Sequence, residues 1–524
     1  MKYAKHLKNT PQSQPIPGKQ MIQNAAGGYT FEVSGLERLR RFLILGSEGG
    51  TYYAGEHELT LENAQNVVDC VKNNGLATVE LIAGISDRGL APKNDAAVFA
   101  LAIASVHGDG PTRKSAFARL PVVCRTSTHL FQFCEAREAL GGGWGRGMRE
   151  AVAKWYEDRT PMSLVRQAIK YQQRNGWSHR DLLRLSHPKP AMPGVANIFN
   201  AICREDYWRD VAQTNVLVSG WLRLRDTTNV KEAAQIIESA ELDREMVPSE
   251  LLTKPEVWNA MLPRMGLTAL MRNLGNMTRI GLLTPLGDAT RKVVERLTSA
   301  EQIRNARIHP FSVLLALKTY DSGRGFRGTN SWDAVPQITN ALERMFELAF
   351  ANVEMTGKRF MLALDVSGSM SSKIADTNIS ACEAAAAMAL ITARVEPQNW
   401  IFGFADSFRE LGITPADSLS TATAKTQRMN FGGTDCALPI AHARKHKIPV
   451  DVFVVYTDNE TWRGPVHACQ ELVAYRREMN IPAKLIMVAF TATKNSVADP
   501  SDPGSLNIVG LDASLPSLIQ EFVI

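Results

Sequence analysis

Cysteine is scarce and poorly spaced for chemistry. The 524-residue chain has seven: Cys70, Cys124, Cys134, Cys203, Cys382, Cys436 and Cys469. None forms a C-x-x-C pair, which excludes a zinc finger or ribbon, and an odd number argues against a disulfide framework. Reduced, mostly buried thiols suit a reducing compartment. Long apolar runs are also missing. Nothing approaches the ~20 residues of a membrane span, and Ala384–Thr392, after Glu383, reads as a buried helix. Residues Met1–Lys8 hold no apolar stretch, so a cytoplasmic chain without a secretory leader is expected. No P-loop, paired acid and base or Ser-His-Asp order is evident, so an enzyme is not expected.

What is present is ample core material. Hydrophobic residues make up 45% of the chain, and its length calls for two or more domains. A boundary near Asn352–Lys358 divides it into 1–354 and 355–524. The net charge of +6 is unevenly shared. Lys and Arg outnumber Asp and Glu by 44 to 36 in residues 1–354, whereas 355–524 hold 15 against 17. The basic excess in the first part suggests an anionic partner, nucleic acid foremost, with a mildly basic solvated surface as the alternative.

The C-terminal part alternates strand and helix patterns. Strands are expected at Phe360–Leu364, Trp400–Ala405, Val452–Tyr456, Lys484–Phe490 and Leu506–Val509. Helices are expected at Ser380–Glu396, Cys436–Lys447, Val466–Met479 and Leu515–Phe522. Such spacing specifies a doubly wound parallel sheet. The first ~350 residues show almost no strand pattern and read as successive amphipathic helices. One runs from a cap at Thr60 to Lys72 and stops at Gly75; others cover Leu76–Ile85, Asp95–His107, Arg149–Tyr156 and Ser163–Arg174. The pattern suggests a HEAT-like α-solenoid, with a large irregular all-α domain as the alternative. The fold class is thus α plus α/β.

One helical segment concentrates positive charge. Arg166, Lys170 and Arg174 recur at i, i+4 and i+8 and would form a stripe on one helical face. Like charges so spaced repel unless an anion lies across them. Gly176 would end that helix, and Ser178 with Asp181 marks the N-cap of the next. Arg180 and Arg184 repeat the i, i+4 spacing there, and His187 follows. Tyr171 and Trp177 are candidates for stacking bases, with Trp177 as core the alternative. Trp144–Gly147, Arg272–Gly275, Arg307–Pro310 and Gly323–Gly328 could also meet phosphate, although a cap or turn explains each equally well.

A second constellation sits at strand ends. Asp365, Ser367 and Ser369 follow the apolar run Phe360–Leu364; Thr434 lies in Phe431-Gly432-Gly433-Thr434-Asp435; Asp458 ends Val452–Thr457. These are hard oxygen donors, which suit Mg²⁺ or a similar divalent cation rather than zinc or copper. In order, they match a metal-ion-dependent adhesion site of the von Willebrand factor A type. A phosphotransferase built on Asp365 would need a second Asp at i+2, where Ser367 stands. A protein-adhesion scaffold acting through the metal is a further alternative, as is a purely structural or empty site.

Together these segments resemble the Ro ribonucleoprotein autoantigen family, whose helical module is called TROVE. The matching phrases are Tyr171–His187, Leu267–Gly275, Ala306–Pro310, Phe431–Cys436, Thr457–Thr461 and Ile481–Leu485, in the family's order. The resemblance covers essentially the whole chain and is closer to bacterial or phage-borne members. Gly368 stands where eukaryotic relatives usually carry Ala, a position that supplies no ligand side chain. The resemblance implies a HEAT-repeat ring closed by the von Willebrand A domain around a basic hole. It implies a non-catalytic, monomeric RNA-binding protein. Its partners would be small noncoding Y-like RNA on the outer surface, misfolded structured RNA with a single-stranded 3′ end in the hole, and a 3′ exoribonuclease. Lys170, Arg174 and His187 fall at family positions that contact RNA.

Overall fold

The computed structural model describes residues 9–47, 56–91, 93–190, 192, 194–325, 330–349, 355–374, 379–405, 407–426, 433–510 and 515–523. Residues 1–8, Phe326-Arg327-Gly328, Phe431-Gly432 and the first three residues of the expected 352–358 boundary lie outside this set. Eleven strands occur among the described residues: β1 Ile22–Gln23, β2 Tyr29–Glu32, β3 Gln173–Arg174, β4 Trp177–Ser178, β5 Phe360–Asp365, β6 Asn399–Phe404, β7 Phe408–Glu410, β8 Val452–Thr457, β9 Lys484–Ala489, β10 Asn495–Ser496 and β11 Ser505–Val509.

The described residues between Gly35 and Leu348 are mostly helical. Local sequence sets many of the helix starts. Asp109, Thr126 and Thr160 each accept a hydrogen bond from a backbone N–H in the first turn of the next helix. Pro161, Pro255, Pro310 and Pro336 sit in first turns, where a missing N–H is harmless. Helix Arg146–Glu157 shows the packing logic: Met148, Ala151, Val152, Trp155 and Tyr156 recur with helical period and are buried. The break expected at Gly75 is a kink one residue earlier. Within Glu56–Arg88 two helices meet where Asn74 leaves helical geometry at φ −154° and ψ 75°.

The C-terminal domain is a six-stranded sheet in the order β11-β9-β8-β5-β6-β7, parallel except for the edge strand β7. Its central strands β5, β8 and β9 are buried on both faces, as their continuous apolar runs require. Met361, Ala363, Phe453 and Val455 face one core. Leu362, Leu364, Val454 and Tyr456 face the other, which is continuous with the core of the helical array.

The array meets this domain at both ends. Arg41, in helix Gly35–Leu45, donates to the carbonyls of Thr493 at 2.9 Å and Asn495 at 2.8 Å. At the far end Lys318 pairs with Glu383 at 2.5 Å, and Glu347 pairs with Arg394. The array also curls onto itself: Arg307 reaches the Asp87 carboxylate at 3.2 Å, and His309 Nε2 lies 2.9 Å from the Leu90 carbonyl. Near-absence of strand in the first 350 residues does not hold throughout. β1 and β2 form a three-stranded sheet with β10 of the C-terminal domain, and β3–β4 is a hairpin.

Candidate nucleic-acid interface and metal centre

The helix bearing Arg166 and Lys170 spans Pro161–Lys170 and stops four residues before Arg174. The continuous three-residue stripe is therefore not formed. Arg174 lies on β3, paired with Trp177 of β4, and Gly176 is a hairpin turn residue rather than a helix end. Asn175 and Gly176 both adopt positive φ, 54° and 75°, as a two-residue turn between right-twisted strands demands. Ser178 and Asp181 do form a capping box, opening helix His179–Ser186. That helix buries His179, Leu182, Leu183 and Ser186 and leaves Arg180 and Arg184 exposed. His187 caps its end in the left-handed region at φ 48°, with its side chain also exposed.

The cations of this surface fall into two groups. Arg166 pairs with Glu241 and Asp243 at 3.3 Å each, and Lys170 reaches Glu245 at 3.3 Å and Asp243 at 3.9 Å. Burial works against the Lys170 charge, but Asp243, Tyr171 and Glu245 raise its pKa overall. Arg174, Arg180 and Arg184 are exposed and pair with no carboxylate among the described residues. Trp177 packs against Trp144 at 5.5 Å between ring centroids and is half-buried, so it serves the core more than a stacked base.

A cavity of about 960 Å³ gathers basic segments that are far apart in sequence. Arg125, Arg272 and Arg307 line it with His129, Tyr171 and Gly325. Arg272 is exposed and unpaired among the described residues. Burial, and then the charge of Arg307, lower the Arg125 pKa. Crowded like charges of this kind favour an anion between them. The sequence marked Arg272 and Arg307 only as isolated pieces and did not single out Arg125.

At the C-terminal edge of the sheet, the five oxygen-bearing residues are all buried: Asp365 at 0%, Ser367 at 2%, Ser369 at 4%, Thr434 at 1% and Asp458 at 3% exposure. Asp365 accepts from the Ser367 N–H at 2.9 Å and the Thr457 hydroxyl at 2.7 Å. The Ser367 and Ser369 hydroxyls lie 3.1 Å apart, and Ser369 hydrogen-bonds Asp458. The Thr434 carbonyl accepts from the N–H groups of Trp462 and Arg463, which ties its loop to the one following Asp458. Burial first, and the Asp458 carboxylate next, push the Asp365 pKa up to about 7. Burial likewise raises Asp458. Two buried carboxylates, one raised by the charge of the other, lie among hydroxyls and make an all-oxygen set. That chemistry fits a hard divalent cation such as Mg²⁺.

Sequence reasoning missed the brace behind this centre. Asn24 donates to the Thr461 carbonyl at 2.8 Å, and Gln12 donates to Asp435 at 2.6 Å and also bonds the Thr461 hydroxyl. The Ala26 N–H reaches Glu460 at 3.1 Å. Gly28 packs so closely that a Cβ would stand 1.9 Å from the Thr461 carbonyl oxygen. Burial and Asp458 raise Glu460 to about 7. The polar pairs are separated by more than 400 positions in sequence, so no local pattern announces them.

Comparison with known proteins agrees with this geometry. Residues 22–233 and 237–322 match the family model described as the TROVE domain, and residues 359–523 match the Ro60 vWA domain. A Deinococcus radiodurans protein named RNA-binding protein RO60 is 40% identical over 98% of this chain and 97% of its own length. A Caenorhabditis elegans protein of the same name is 34% identical over 99% of this chain and 92% of its own. The crystal structure of the Deinococcus radiodurans RO (RSR) protein superposes with a TM-score of 0.70 at 39% identity, covering 94% of this chain and 99% of that one.

Proposed function

The chain belongs to the Ro60 family of TROVE-plus-vWA proteins, and from that premise we propose that it is an RNA-binding protein of noncoding-RNA quality control, without catalytic activity. Its relatives carry the name RNA-binding protein, and RNA is the partner kind. Y-like noncoding RNA binds the outer face carrying Lys170, Arg174, Arg180, Arg184 and His187. The single-stranded 3′ end of a misfolded RNA enters the cavity lined by Arg125, Arg272 and Arg307. The observation that carries the reading is the cluster of exposed arginines left without carboxylate partners among the described residues while neighbouring Arg166 and Lys170 are neutralised. An unneutralised cluster attracts a polyanion and releases its counterions. Among the described residues no base-reading sheet with paired aromatics accompanies it, so phosphate and shape recognition dominate.

The metal centre belongs to the same proposal. Asp365, Ser367, Ser369, Thr434 and Asp458 hold Mg²⁺ or a similar cation, some through water, and so offset the two buried carboxylates. The protein is cytoplasmic and monomeric, and a 3′ exoribonuclease is a fitting partner. A matched RNA pair tests the two-site reading: a duplex with a 3′ overhang and the same duplex made blunt, each competed with a Y-like hairpin. Preference for the tailed RNA is expected. Equal affinity for both would remove the cavity as an entry site for 3′ ends and leave only the outer face.

A further inference from the structure

A second cavity, of about 530 Å³, opens beside the basic face, between helices Pro161–Lys170, His179–Ser186, Val195–Cys203 and Val216–Asp226. Arg180 belongs to both features: it is one of the unpaired surface arginines and also lines this cavity. Gln172 and Ser178 line it too, and they flank the hairpin that carries Arg174. Trp208 and Trp221 lie edge to face, 5.9 Å apart, and supply an aromatic wall. Arg225 sits over the Trp221 ring at 5.2 Å.

The polar lining has a definite character. Glu205 uses one carboxylate oxygen on Arg225 at 3.4 Å, and Glu245 uses one on Lys170 at 3.3 Å. Each lines the cavity and keeps a second oxygen with no ion-pair partner among the described residues, and the cavity is wide enough for one nucleotide. Cationic rim, aromatic wall and carboxylate acceptors together suit a group with an anionic tail, a flat apolar face and N–H donors. An unstacked nucleotide has all three.

We propose that this cavity receives one extruded base of an RNA bound on the outer face, its flanking phosphates held by Arg174 and Arg180. This rests on the RNA-binding reading above and adds a base-specific element to it. Spare carboxylate oxygens accept from exocyclic amino groups, which guanine, adenine and cytosine carry and uracil lacks, so those three are favoured over uracil. Because Glu245 also binds Lys170, the occupied cavity is coupled to the neighbouring basic helix.

The test uses the full chain and a set of hairpins that differ at one bulged nucleotide: guanine, cytosine, uracil or an abasic residue. Stacking of one base corresponds to about 5- to 150-fold in affinity. The guanine bulge should therefore bind at least about fivefold tighter than the abasic one, with uracil between them. Gln172→Ala and Arg225→Ala, both at the cavity, should shrink that ratio while the abasic hairpin still binds. A photoreactive 6-thioguanosine at the bulge should crosslink within residues 168–180 or 205–225. Equal binding of guanine and abasic hairpins, with binding still lost on Arg174→Ala/Arg184→Ala, would overturn the cavity proposal alone. Failure of every hairpin to bind would overturn both it and the RNA-binding reading.

Discussion

Replacing Arg174, Arg180 and Arg184 together by Ala removes three exposed guanidinium groups that have no carboxylate partner among the described residues. If each neutralises one phosphate of bound RNA, the slope of log affinity against log salt should flatten by about 0.9 per residue, or about 2.7 in total. Over a fourfold rise in salt, from ~50 to ~200 mM, wild type should then lose about 40-fold more affinity than the variant. Fluorescence anisotropy of a labelled Y-like hairpin across that range gives both slopes, and far-UV circular dichroism checks the fold. Lys170 makes an internal contrast. Asp243 and Glu245 already neutralise it, so Lys170→Ala should move the slope less than Arg174→Ala. A folded triple variant with the wild-type slope would refute the argument that unpaired arginines mark the interface. A larger slope change for Lys170→Ala than for Arg174→Ala would refute the ion-pair reasoning.

Three further outcomes are expected. Asp458→Asn should lower stability in millimolar Mg²⁺ yet leave it equal or higher in EDTA, because it relieves the repulsion that raises Asp365; thermal melts in both buffers read the sign change. Bound Mg²⁺ at ~100 times its dissociation constant should stabilise wild type by about 2.7 kcal/mol, and Asp365→Asn should abolish that gain in denaturant titrations. His179 is buried against Tyr156, with Nδ1 2.8 Å from the phenol oxygen, and burial pushes its pKa down to about 4. Its depressed folded value lies below the unfolded ~6.5, so its contribution is whole above pH 6.5 and drains away as pH falls toward 4. The loss should be about 3 kcal/mol, and His179→Leu should show a correspondingly smaller drop in urea stability between pH 7 and 4.5.

The parallel sheet was legible because its strands are continuous apolar runs. The expected Trp400–Ala405 is shifted by one residue at each end from β6, and Val452–Tyr456 falls one residue short of β8. Asp365, Ser367, Ser369 and Asp458 could be grouped from the sequence because they end or follow β5 and β8, where the fold brings chain segments together regardless of sequence separation, whereas Thr434 lies in a loop. The basic helix was misread for a nameable reason. Charge periodicity continued past Lys170, but Asn175-Gly176 is a strong two-residue hairpin signal, and it overrode the helical spacing. β1 and β2 escaped because they are short and their partner β10 lies more than 460 positions away. Arg272 and Arg307 were individually visible and Arg125 was not, and only the curl that brings Arg307 to Asp87 shows that the three share a space.

Ultraviolet crosslinking of a Y-like hairpin to the intact protein, with mass spectrometric mapping of the adducts, tests the central claim most directly. Adducts within residues 170–190, lost in the Arg174/Arg180/Arg184 triple variant, are the expected result. Adducts confined to residues 359–523 and unchanged in that variant would contradict it.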